Sequence, residues 1–137
     1  MSTLILSFVG THGTTFGGSP LACAVGHHVL SRLSSLTSTG HVQDISTYLD
    51  GRLERLAQWF PDLIQHKIRG RGLLRGLGFK NEAHPAQVVQ LARERGVLML
   101  TAGKDAVRLV PSLNVSKDEV DTAVDVLEGC LAVTRQK

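Results

Sequence analysis

The run Thr11-His12-Gly13-Thr14-Thr15-Phe16-Gly17-Gly18-Ser19-Pro20-Leu21-Ala22-Cys23 puts small hydroxyls and glycines directly before a proline-started helix. Glycine lets a backbone approach a ligand closely and adopts positive φ. The adjacent threonines add hydroxyl and amide donors. Ser19 suits the N-cap and Pro20 the first helical turn. A helix start with open donors attracts anions, so the run predicts a phosphate or carboxylate held at the mouth of a helix. Arg108, between Val107 and Leu109 and ahead of Pro111, is the second chemical candidate. An arginine among β-forming residues needs a partner if it is buried, and its planar fork suits a carboxylate.

Other clusters predict less. Lys67, Arg69, Arg71 and Arg75 form a basic run, but Phe79 alone is nearby for stacking. A solvated strand edge is therefore expected there, and no nucleic-acid partner. Cys23 and Cys130 lie far apart without a Cys-x-x-Cys pattern and are expected to be buried or idle thiols. None of the 6 histidines has metal-ligand spacing, so no metal is expected. His27 and His28, neighbours on a helix, point to different faces. The net charge of +3 fits an anionic ligand without requiring one. Within residues 1–10 the apolar stretch is far shorter than the roughly 18 residues of a membrane span, and no basic region precedes it as in a signal peptide. A strand-like or loose start is expected there, and no membrane partner.

The positioning elements follow from periodicity. At 137 residues one domain is the default, and 4 % aromatic content requires an aliphatic core. Leu21, Val25, Val29, Leu33 and Leu36 recur at helical spacing from Pro20 to the Thr37–Gly40 stretch. A second helix is expected from Val42 to Phe60, with Ile45, Leu49, Leu53, Leu56 and Phe60 on one face and Pro61 ending it. Strands are expected at Gln65–Arg69 and Leu73–Phe79. Gly76 and Gly78 share a face of the latter, so something packs closely there. A third helix runs from Pro85 to Arg95 with Val88, Leu91 and Ala92 inward. Short strands at Val97–Leu100 and Ala106–Val110 flank a turn with Gly103 and Asp105. Ser116-Lys117-Asp118-Glu119 reads as a capping box for a last helix burying Val120, Ala123, Val124, Leu127 and Leu131. The order predicts an α+β arrangement, a small antiparallel sheet with helices packed on one side.

The threonine run resembles a signature of the class-III pyridoxal-phosphate aminotransferases. Two further blocks are similar to that family's and come in its order: Ile68-Arg69-Gly70-Arg71-Gly72-Leu73-Leu74-Arg75-Gly76-Leu77-Gly78-Phe79, and Gly96 to Lys104 continuing through Val107-Arg108-Leu109-Val110-Pro111-Ser112-Leu113. The resemblance covers residues 11–131, and within the family it is most similar to acetylornithine aminotransferases, the fungal ones in particular. It implies the C-terminal small domain of a fold-type I enzyme over residues 41–137, preceded by the phosphate run and a long connector helix over 11–40. It implies that Thr15 contacts the pyridoxal 5'-phosphate phosphate across a homodimer interface and that Thr14 lies near both cofactor and substrate. It implies that Arg108 faces the active site and pairs with a substrate carboxylate. The activity implied for the intact enzyme is transamination between N-acetylornithine and 2-oxoglutarate, in the mitochondrial matrix or cytoplasm. Lys67, Lys80, Lys104, Lys117 and Lys137 match no cofactor-linking segment, so no catalytic residue is assigned and the chain is expected to be inactive alone. The alternative is a non-catalytic module binding a full-length aminotransferase. Gly78 departs from the family, which carries an acidic residue before Phe79.

Overall fold

The computed structural model describes residues 13–136. The strand-like start expected over residues 1–10, and Thr11 and His12 of the run, lie outside the described residues. The order is α1 (Pro20–Ser38), α2 (His41–Trp59), β1 (Arg69–Arg71), β2 (Leu74–Gly78), α3 (His84–Glu94), β3 (Leu100–Ala102), β4 (Ala106–Leu109) and α4 (Lys117–Arg135). The chain divides into two compact units, Met1–Ser35 and Leu36–Lys137.

In the second unit the strands form one antiparallel sheet in the order β1-β2-β4-β3. Pairing of Leu77 with Val107 puts both on one face, and both are fully buried. They join a single core with Ile45, Leu49, Leu53 and Leu56 of α2, Val88 and Ala92 of α3, and Val124, Leu127 and Leu131 of α4. The other face carries Leu74, Leu100 and Arg108, all exposed. The α+β arrangement with helices on one side is therefore what this unit adopts.

Each helix starts for a local reason. Gly40 adopts φ 75° ahead of α2, a conformation glycine takes without steric cost. Pro85 sits in the first turn of α3. The Ser116 hydroxyl accepts from the Glu119 amide, and the Glu119 carboxylate accepts from the Ser116 amide, closing a capping box on α4. Tyr48 and Arg52 of α2 both reach Asp121 of α4, the tyrosine hydroxyl donating at 2.7 Å.

Two strands are displaced from their expected positions. Instead of Gln65–Arg69, β1 is Arg69–Arg71, and it turns into β2 through Gly72 and Leu73 with Arg71 opposite Leu74. A two-residue turn needs positive φ at its first central position, and Gly72 supplies φ 57°. Leu73, read as strand because it is apolar, instead drops into the core from the turn. The β3 strand is Leu100–Ala102 rather than Val97–Leu100. Met99 packs in the core and Val97 against it, ahead of the ladder.

The basic run is not a uniformly solvated edge. Arg75 alternates with Leu73, Leu77 and Phe79, so it points to the helix side, where it is only 7 % exposed. Its guanidinium forks onto the Asp50 carboxylate of α2 and donates to the Ser46 hydroxyl at 3.1 Å. Arg69 pairs with Asp105 at 2.6 Å. Lys67 and Arg71 are exposed.

Candidate functional site

The threonine run occupies the Met1–Ser35 unit. The Ser19 amide donates to the Phe16 carbonyl at 3.3 Å, closing a turn in which Gly18 takes φ 79°. The Ser19 hydroxyl accepts from the Ala22 amide at 3.4 Å, capping α1 where Pro20 opens it. A Cβ on Gly17 would lie 2.0 Å from the Thr14 methyl, so any larger residue there would turn the exposed Thr14 side chain aside. Thr14 and Thr15 are both exposed. Their hydroxyls meet no partner among the described residues. Two open hydroxyls just ahead of a capped helix start form a donor set that fits a phosphate.

Arg108 occupies the outward sheet face of the other unit, opposite Gly76 on β2 and Leu100 on β3. It is exposed, and no carboxylate among the described residues pairs with it. Depressions lie on both sides. One, of about 500 Å³, is lined by Arg93, Leu98, Leu100 and Val110. The other, of about 210 Å³, is lined by Arg69, Leu74 and Gly76. A guanidinium on an aliphatic surface, with its fork unspent, can hold a carboxylate bidentately.

The close packing expected over Gly76 and Gly78 has an identifiable occupant. A Cβ on Gly78 would sit 2.6 Å from the Gln65 Oε1 and 3.2 Å from the Arg69 Nη2. Gln65 donates to the Phe79 carbonyl at 2.8 Å, and Arg69 donates to Gln65 at 2.6 Å. The hydrogen bond from Arg69 holds the Asp105 carboxyl below the ordinary aspartate range, with Gln65 adding to it. The same bond holds Arg69 more firmly protonated. This triad fills the space beside Gly78.

Sequence reasoning missed two groups, the triad and the Arg75–Asp50–Ser46 cluster. A signal for the second existed. Ser46 and Asp50 stand at i and i+4 on α2, and Arg75 keeps the two-residue alternation of β2's buried side. Among the described residues no group of three His, Cys, Asp or Glu side chains could hold a metal ion, and no described helix is long and apolar enough to cross a membrane. Cys23 is exposed and Cys130 buried, both as free thiols.

The sequence model of the family described as Aminotransferase class-III matches residues 3–131. The match begins ahead of the threonine run, within the segment expected to fall outside the family. Mitochondrial acetylornithine aminotransferase of Yarrowia lipolytica is 42 % identical over 123 residues, covering 90 % of this chain and 29 % of its own length. The corresponding protein of Saccharomyces cerevisiae is 39 % identical over 123 residues, covering 90 % of this chain and 28 % of its own. The chain thus spans less than a third of the length of these relatives. Among solved structures, acetylornithine aminotransferase from Elizabethkingia anophelis superposes with a TM-score of 0.79 at 27 % identity, over 90 % of this chain and 33 % of that one.

Proposed function

The chain belongs to the class-III aminotransferases, and on that premise we propose that it forms the C-terminal portion of an enzyme exchanging an amino group between N-acetylornithine and 2-oxoglutarate, a step of arginine biosynthesis. Residues 11–40 serve as phosphate run and connector helix, and 41–137 as the small domain. The observation that carries this reading is the threonine run placed just ahead of the capped start of α1, inside a family match that spans residues 3–131. Pyridoxal phosphate, when bound, supplies the electron sink for labilising bonds at the amino-bearing carbon. Thr15 offers its hydroxyl and amide to the phosphate, and Thr14 lines the pocket beside it. Arg108 receives a substrate carboxylate in its fork.

One charge-assisted hydrogen bond contributes about 1.5–3 kcal/mol, whereas even millimolar retention needs about 4 kcal/mol. A single phosphate contact therefore does not hold the cofactor. The five lysines Lys67, Lys80, Lys104, Lys117 and Lys137 stand in no segment resembling a cofactor-linking one. These residues by themselves bind the cofactor weakly and do not turn over. The missing contacts come from the lysine-bearing remainder of such an enzyme, arranged as a homo-oligomer. Its location follows its relatives to the mitochondrial matrix, or else it is cytoplasmic.

The test has two arms. The purified chain with pyridoxal phosphate and borohydride is expected to trap no single lysine and to transaminate nothing. Co-expression with the lysine-bearing domain of a class-III aminotransferase is expected to give activity that falls about tenfold or more for Thr15→Ala through cofactor loss, and for Arg108→Ala through the KM for 2-oxoglutarate. Turnover by the chain alone, or reconstituted activity indifferent to both variants, refutes the proposal.

A second reading is favoured by α1, which buries no residue and exposes Leu21, Val25, Val29, Leu30 and Leu33. In that reading the chain is a non-catalytic module whose apolar helix docks on a full-length aminotransferase. Co-purification with such a protein, lost when Val25 and Val29 become Ser, separates it from the first.

A further inference from the structure

We propose that the cleft between α2 and the chain entering β1 binds a free α-amino acid as its zwitterion, at a site separate from Thr14, Thr15 and Arg108. The cleft holds about 590 Å³. Asp50, Glu54 and Ala57 line one wall from a single face of α2, Lys67 and Ile68 line the other, and Arg75 of β2 reaches it from the sheet.

Arg75 makes this more than a surface depression. It is 7 % exposed. Two of its nitrogens are taken by Asp50, and one of these also by Ser46. The third, Nη1, is buried with no acceptor among the described residues. Leaving a buried donor unmet is unfavourable, the more so on a charged group. A ligand acceptor in the cleft removes that deficit.

The remaining charges define the ligand. Asp50 already neutralises Arg75. Lys67 and Glu54 are exposed, and neither has an ion-pair partner among the described residues. The charged atoms left without an ion-pair partner are thus two donors on cations, Arg75 Nη1 and Lys67 Nζ, and one carboxylate, Glu54, while Gln58 and His66 also line the cleft. A simple anion meets the first two and is repelled by the third, and a simple cation meets the reverse. A carboxylate and an ammonium on one carbon satisfy all three, the carboxylate toward Arg75 and Lys67 and the ammonium toward Glu54. Ala57 and Ile68 provide an apolar surface for the ligand's side chain.

The test is a titration of the full chain with glycine, L-alanine and L-glutamine, followed by NMR at the Glu54 and Lys67 amides and the Arg75 Nε. Acetate and methylamine serve as probes carrying one charge each. Saturable shifts with the amino acids are expected, with the single-charge probes at least about tenfold weaker. Lys67→Ala and Glu54→Gln, both at exposed positions, are each expected to weaken binding about tenfold with the thermal midpoint unchanged. Acetate binding as well as the amino acids, with Glu54→Gln without effect, would make this a plain anion site and overturn the proposal. Absence of shifts at millimolar amino acid overturns it as well. Neither variant touches the residues assigned to transamination, so the result stands apart from that assignment.

Discussion

Helices α1 and α2 are both 19 residues long and both carry a branched aliphatic stripe at helical spacing. Their fates differ completely. Leu53 of α2 is fully buried, whereas Leu21 of α1 is 76 % exposed and Val29 is 48 % exposed. The difference teaches that periodicity encodes a face, while burial needs a partner surface. Strands β2 and β4 and helix α4 supply that surface to α2. In α1 no residue is buried. A helix without a buried face is marginal in water even when its propensities are good.

The largest expected effect tests this contrast directly. Leu53→Ala should cost about 2–5 kcal/mol in denaturant unfolding, the range for emptying a filled core site. Leu21→Ala in α1 should change stability by less than about 0.5 kcal/mol. Equal losses at the two sites would mean that α1 is packed in solution. Capping sharpens the comparison at a smaller scale. Ser116→Ala removes the hydroxyl that accepts from the Glu119 amide, leaves the backbone amide of residue 116 to the Glu119 carboxylate, and should cost about 1 kcal/mol of global stability. Ser19→Ala should leave the unfolding midpoint in place and only lower the helical signal, because α1 buries no residue.

The smallest expected effect is on pH. The Ser116 amide, then the Ser116 hydroxyl, holds the Glu119 carboxyl below its ordinary value, as Arg69 does for Asp105. A lowered folded-state value means that the contribution is fully present above the unfolded value, about 4.3 for glutamate and 3.9 for aspartate. It is lost as pH falls below these toward the folded values. Hydrogen-exchange protection at the first turn of α4, taken relative to the intrinsic exchange rate at each pH, should therefore fall on acidification through that window. The start of α1, which has no acidic residue in its first turn, should show no such titration. Carboxyl NMR checks the cause: Asp105 should return upward in Arg69→Gln, and Glu119 should rise only in part in Ser116→Ala, which removes the hydroxyl and keeps the backbone amide.

Much of the small domain was legible because its signals are local. The α2 stripe and the Ser116–Glu119 spacing fixed two helices to within a residue or two. The β1 and β3 boundaries were not legible. Leu73 and Met99 are apolar because they are buried, and a residue buried from a turn or an approach segment looks like a strand residue. Thr14, Thr15 and Arg108 could be singled out because their chemistry sits in recognisable runs. For Arg75 the alternation of β2 signalled only the buried side, because its partner Asp50 lies 25 positions earlier on another element and the fold brings the two together. The occupant of the space over Gly78 was hidden for the same reason, since Asp105 arrives from beyond α3.

The sheet's two outer strands are its shortest, three residues each, and β1 carries an arginine at either end of that stretch. Such brief, charged borders offer little template for another chain to extend the ladder. If this molecule associates at high concentration, growth by strand addition is disfavoured, and contacts through the aliphatic stripe of α1 or the outward sheet face lead to discrete oligomers instead of fibrils.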